Sequence, residues 1–153
     1  RNLFLAKKVA AKLESIGATV VLTRTSDSSM TNDTRIQKVK NAKANLAVSI
    51  HRDSAANTSA NGYSTFYFNP YTQLPADCIN KQMKKANIYK TIREMRGHVF
   101  FLSRVSDCPV VLTENGFMSN SSDYNNIILN DKKNEAAADA IVKGIVDYFL
   151  TIG

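Results

Sequence analysis

The sequence is short of the residues that most readily declare a site: two cysteines, Cys78 and Cys108, and two histidines, His51 and His98, in 153 residues. Two widely spaced cysteines are too few for a disulfide framework or a cysteine-based zinc site. No apolar run approaches the roughly 20 residues that a membrane-spanning helix requires, so a membrane span is not expected. Repeats, low-complexity tracts and interdomain linkers are also missing, which leaves one domain over residues 1–153. A chain of this size buries roughly two-thirds of the surface it would expose unfolded, enough for one core.

Acidic residues are outnumbered. Lys and Arg total 20 against 13 Asp and Glu, a formal charge of +7, and no block of like charges carries the excess. Diffuse positive charge raises encounter rates with polyanions, whether nucleic acid or a wall bearing phosphate polymers and peptide carboxylates. Charge alone does not choose between them, but no nucleic-acid-binding motif is present. The chain opens at Arg1 directly in an amphipathic pattern, and it reads as part of something longer.

Apolar residues at steps of three and four predict a helix over residues 3–16, closed by Gly17. The β-branched run 19–23 (TVVLT) predicts a buried strand, followed by a polar loop over 24–34. A helix is expected at about 35–43 and a strand at 45–50. Gly62 opens an alternating strand, and a basic helix follows over about 76–89. The remaining expectations are a short strand at 99–102, an apolar strand at 109–113, a short helix from the cap Asn120 to 129, and a last helix over about 134–150. Alternating helices and apolar strands argue for an α/β fold, a mostly parallel twisted sheet with helices on both faces.

In such sheets reactive groups gather beyond the carboxyl ends of the strands. His51 follows the apolar run 46–50 and Glu114 follows 109–112, so both have that address. If the two strands are near one another, an imidazole and a carboxylate face one site. The bland alternatives are a histidine that hydrogen-bonds a loop and a surface carboxylate. Tyr63, Phe66, Tyr67, Phe68 and Tyr71 fit ordinary sheet alternation better than a sugar-stacking platform, and Lys81, Lys84, Lys85 and Lys90 read as a solvated helix face.

The flanking residues sharpen this. Ser49-Ile50-His51-Arg52-Asp53-Ser54-Ala55 resembles the SIHxN segment of the zinc-dependent N-acetylmuramoyl-L-alanine amidases, the type-3 amidases of bacterial and phage cell-wall lysis. The run 111–120 (VLTENGFMSN) is similar to that family's second signature, a strand followed by ExGFxSN. The order of helix, Gly17, strand and Leu22-Thr23-Arg24, and the closing helix with its Ala-Ile-x-x-Gly-Ile run, resemble the family too, so the likeness covers nearly the whole chain.

The resemblance implies a peptidoglycan hydrolase that cuts the amide between N-acetylmuramic acid and L-alanine of the stem peptide, working outside the cytoplasm at the cell wall or in secreted form. It implies a zinc ion (Zn2+) held by two histidines and a glutamate, which polarises the amide carbonyl and lowers the pKa of a water. His51 matches the second histidine ligand, and Glu114 matches the catalytic glutamate that carries protons without binding the metal. The family's first strand, first histidine and glutamate ligand belong upstream of Arg1, so the chain is expected to lack the N-terminal segment of the domain. His98 sits in a basic Arg96-Gly97-His98 loop that matches no ligand motif.

Arg52 stands where the family has a small residue; it would grip a substrate carboxylate or point to solvent. Asn115 is a second candidate for substrate contact, and Asp53 replaces the usual asparagine. Gly116 is expected to permit a tight exit from the strand, with Phe117 packed beneath the site. Anionic wall polymers and a monomeric state complete the expectations. A noncatalytic wall-binding domain derived from such an enzyme is the alternative.

Overall fold

The computed structural model describes residues 1–95, 97 and 99–153, with Met95 followed through its backbone alone. Helix α1 (Asn2–Ser15) buries Leu5, Val9 and Ala10 on one face, as its spacing predicts. It ends where Gly17 takes φ +95° and donates its N–H to Glu14 O at 3.0 Å. A side chain at that φ would be strained, which is why glycine closes the helix. Helix α2 (Asn32–Ala42) starts three residues earlier than its apolar periodicity suggests, because the Thr31 hydroxyl accepts from Thr34 N at 3.2 Å and caps it.

Four strands follow: β1 (Ala47–Asp53), β2 (Tyr63–Phe66), β3 (Ile92–Met95) and β4 (Val110–Phe117), in the order β1-β4-β2-β3. The β1–β4 and β2–β3 pairings are parallel and β2–β4 is antiparallel, so the sheet is mixed while two of its three pairings are parallel. The further α-helices are α3 (Gln73–Ala86), α4 (Ser121–Asp123), which continues into a π-helical turn over Tyr124–Ile128, and α5 (Asp131–Ile152).

Because side chains alternate along a strand, the sheet has two distinct faces. On one, Tyr63 and Val111 pack with Leu5 and Val9 of α1, Ile79 and Met83 of α3, and Ala137, Ile141 and Ile145 of α5. On the other, Val110 packs with Ile36 and Val39 of α2 and with Val105. Helices thus cover both faces, but the second only along its lower part. Helices α3 and α5 meet closely at Gly144, where a Cβ would sit 2.8 Å from Ile79 N. None of the described helices is long and apolar enough to cross a membrane.

Two expected strands are corrected. Residues 19–23 form no ladder; Val21 is 61% exposed, and the segment lines a cavity of about 800 Å3 together with α1, α2, β1 and α5. A β-branched run becomes a strand only with a neighbour to pair with, and none lies there among the described residues. Residues 99–102 are not a strand either, since Phe101–Arg104 makes a 3-10 turn. The Ser103 hydroxyl and N–H both donate to Phe100 O, at 2.5 and 2.9 Å, and close it.

Candidate active site

His51 and Glu114 are register partners in the parallel β1–β4 pair. Paired residues point to the same side of a sheet, with Cα atoms about 5 Å apart. The two candidates therefore share a face, as their strand-end positions suggested. They do not follow their strands, however: β1 continues through Asp53 and β4 through Phe117. Sequence places the strand ends too early because apolar character stops at Ile50 and Leu112 while the ladder goes on.

The ladder bends just beyond the pair. Its register shifts between His51 and Asp53, so that Asp53 pairs with Phe117, and Gly116 sits at φ +91°. A left-handed glycine that lets two residues oppose one is a β-bulge, and it re-aims the residue after it. Phe117 is thereby brought to the same face as Glu114 and Asp53. The antiparallel pairing adds Ser64 opposite Glu114, and the outer parallel pairing adds Arg93 opposite Ser64. One face of the sheet thus carries the row His51, Glu114, Ser64, Arg93, with Asp53 and Phe117 one step above it.

Burial pushes the Glu114 carboxyl up to about 8, the Asp53 carboxylate adds to the rise, and Arg52 opposes it. Glu114 Oε2 is buried with no hydrogen-bond partner among the described residues. A carboxyl in that setting exchanges a proton near neutral pH, which is what a general acid–base group needs. His51 moves the other way: burial lowers its pKa, and the cations Arg35 and Arg24 lower it further. Its imidazole is held neutral, the form that ligates a metal.

Arg52 and Asn115 occupy the opposite face. Arg52 is 7% exposed, and its guanidinium donates to Asn115 O and to Asn134 Oδ1. Asn115 is fully buried, and its amide donates to His51 O at 3.2 Å and to Thr113 Oγ1 at 2.9 Å. Both side chains lie on the face away from Glu114, and the expectation of a solvent-facing Arg52 is corrected. The single-residue alternation of a strand puts neighbours of a reactive residue on the far side, and here that side is packed under α5.

The rest of the second signature is structural. The Asp123 carboxylate accepts from Gly62 N at 2.7 Å and Phe117 N at 2.9 Å. Ser119 Oγ accepts from Ala55 N at 3.0 Å, and Asn120 donates to Thr58 O at 2.9 Å while capping α4 through Asp123 N. The loops that follow β1 and β4 are thus tied together above the site.

A zinc ion requires three protein donors in a site of this kind. Among the described residues no three His, Cys, Asp or Glu side chains converge. His51 fits as one neutral donor, Glu114 stands beside it as a carboxyl, and His98 lies outside the described residues. Arg93 shares a row with Glu114 only through the strand register, which the sequence alone does not show.

The sequence model of a family described as N-acetylmuramoyl-L-alanine amidase matches residues 1–147. The N-acetylmuramoyl-L-alanine amidase LytC of Bacillus subtilis is 32% identical over 154 residues, covering 97% of this chain and 30% of LytC. The probable cell wall amidase LytH of Staphylococcus saprophyticus is 33% identical, covering 94% of this chain and 47% of LytH. Among solved structures, the N-acetylmuramoyl-L-alanine amidase from Clostridium difficile 630 superposes with a TM-score of 0.90 at 29% identity, covering 99% of this chain and 83% of that one. The catalytic domain of the amidase CwlV from Bacillus (Paenibacillus) polymyxa var. colistinus gives 0.88 at 30% identity, covering 96% and 82%. The chain spans less than half the length of LytC and LytH.

Proposed function

The chain belongs to the N-acetylmuramoyl-L-alanine amidase family, and from that premise we propose that it forms most of the catalytic domain of a cell-wall hydrolase that cuts the bond between N-acetylmuramic acid and L-alanine. The main support for this is geometric: His51 and Glu114 are register partners on one face of the sheet, an imidazole beside a carboxyl that exchanges its proton near neutral pH. The metal such a site would hold is zinc, and His51 would be one of its ligands. When bound, the ion supplies Lewis-acid polarisation of the scissile carbonyl.

This chain's own part is proton transfer and orientation. Glu114 takes the proton from a water as its oxygen bonds to the carbonyl carbon, then returns it to the nitrogen as the C–N bond breaks. The products are the lactyl carboxylate and a free alanyl amine. Asp53 and the burial of Glu114 keep the proton affinity high enough for the return step. The site of action is extracytoplasmic, and the +7 charge favours approach to an anionic wall.

The donor set favours one alternative, a wall-binding domain without catalysis, because three converging ligands are not found among the described residues. Digestion of purified peptidoglycan with the full-length protein separates the two. The hydrolase releases stem peptides with new alanine N-termini, whereas a binder sediments with the wall and releases none.

A further inference from the structure

Arg93 stands in the β-sheet row that contains Glu114, two strands away through Ser64, and hence about 10 Å from it at the backbone. Its side chain does not extend outward from β3. The guanidinium carbon lies 5.9 Å from the centroid of the Phe117 ring, on β4, and one of its nitrogens donates to Asn61 O at 2.6 Å. The head group therefore leans back over β2 toward the strand that carries Glu114. Two anchors of different kinds, an aromatic face and a backbone carbonyl, fix its direction.

Those anchors leave most of it unused. An arginine has five N–H donors in a fixed fork suited to carboxylates, and one bond is made here. Arg93 has no carboxylate partner among the described residues, in common with most of the described cations; its head group differs from theirs in being anchored toward Glu114. Arg93 is exposed, whereas Ser64 between it and Glu114 is 3% exposed, so the guanidinium stands at the accessible end of the row. An aimed, exposed and unpaired cation beside a hydrolytic carboxyl is suited to bind an anion on the substrate.

We infer that Arg93 binds a free carboxylate of the peptide part of the substrate, close after the scissile amide, and selects for it. The inference rests on the amidase reading above. Two extended residues span about 7 Å, so a carboxylate on the second residue beyond the bond, held near Glu114, comes within reach of a guanidinium that leans in from 10 Å. Ser64 lies below that path, and the Phe117 ring borders it.

The test compares two muramoyl peptides with the full-length protein: one whose second residue keeps its free carboxylate, and one with that group as the carboxamide. A charge-assisted contact predicts that the wild type prefers the carboxylate form by about tenfold or more in kcat/KM, expressed mainly in KM. Arg93→Gln closes that gap by weakening the carboxylate substrate, and Arg93→Lys, which keeps the charge without the fork, retains part of it. Binding of both peptides to Glu114→Gln follows the same order without turnover. Equal treatment of the two peptides by the wild type, or an equal loss on both in Arg93→Gln, overturns the assignment while leaving the amidase reading intact. Hydrolysis of neither peptide by the wild type overturns both.

Discussion

Arg52 and Asn115 bond each other's strands in both directions: the Arg52 guanidinium donates to Asn115 O, and the Asn115 amide donates to His51 O at 3.2 Å. The exchange happens where the β1–β4 register breaks, so side chains hold the strands together at the bulge. His51 and Glu114 are the residues immediately before this clamp. Their alignment thus depends on groups that face away from them, toward α5 and Asn134.

Removing the clamp's cation strands its acceptors. Arg52→Leu leaves Asn115 O and Asn134 Oδ1 buried without that donor, and is expected to cost about 2–4 kcal/mol in denaturant unfolding. A change within about 0.5 kcal/mol would mean that the buried bonds do not form.

Gly144 tests how α3 and α5 cross. A Cβ there would press into the backbone of Ile79, 2.8 Å from its nitrogen, and backbone cannot rotate away as a side chain does. Gly144→Ala is expected to destabilise by about 1–3 kcal/mol despite alanine's better helix propensity. A gain in stability would show that the helices are further apart than described.

The Glu114 carboxyl makes a signed prediction for protein stripped of metal. Its folded pKa of about 8 lies above the ordinary carboxyl value of 4.5. Below 4.5 both states hold the proton and there is no difference. Between 4.5 and 8 the unfolded chain ionises first, so folding stability falls as pH rises, and the loss is complete above 8. Glu114→Gln removes that titration and is expected to gain on the order of 2 kcal/mol over the wild type at pH 8.5, with no difference at pH 4. Parallel stability–pH curves for the two proteins would contradict it.

Sequence showed the helical parts and the nearness of His51 to Glu114 for a simple reason: helix periodicity and the end of an apolar run are local. Residues 3–16 read correctly because Leu5, Val9 and Ala10 recur on one face and Gly17 stops them. What failed was non-local. The 19–23 run has the composition of a strand, yet whether it pairs depends on a neighbour the run itself does not specify. Arg52 and Asn115 sit one residue from His51 and Glu114 in sequence and on the opposite face in space. The row that joins Arg93 to Glu114 requires a register through two other strands, which composition does not encode.

The unpaired 19–23 segment yields a test of its own. In the 153-residue chain its amides lack ladder bonds, and hydrogen exchange at Val20, Val21 and Leu22 is expected to be fast beside that of Val111 in β4. Equal protection in the 153-residue chain would show that the run already pairs.

The central claim is that His51 and Glu114 serve one site in different capacities, and metal content measured alongside hydrolysis tests it most directly. In the full-length protein, His51→Ala is expected to lose zinc and activity together, whereas Glu114→Ala keeps zinc and loses hydrolysis by a factor of about 100 or more. Zinc retained at the wild-type level in His51→Ala, or peptide release persisting in Glu114→Ala, would contradict the account.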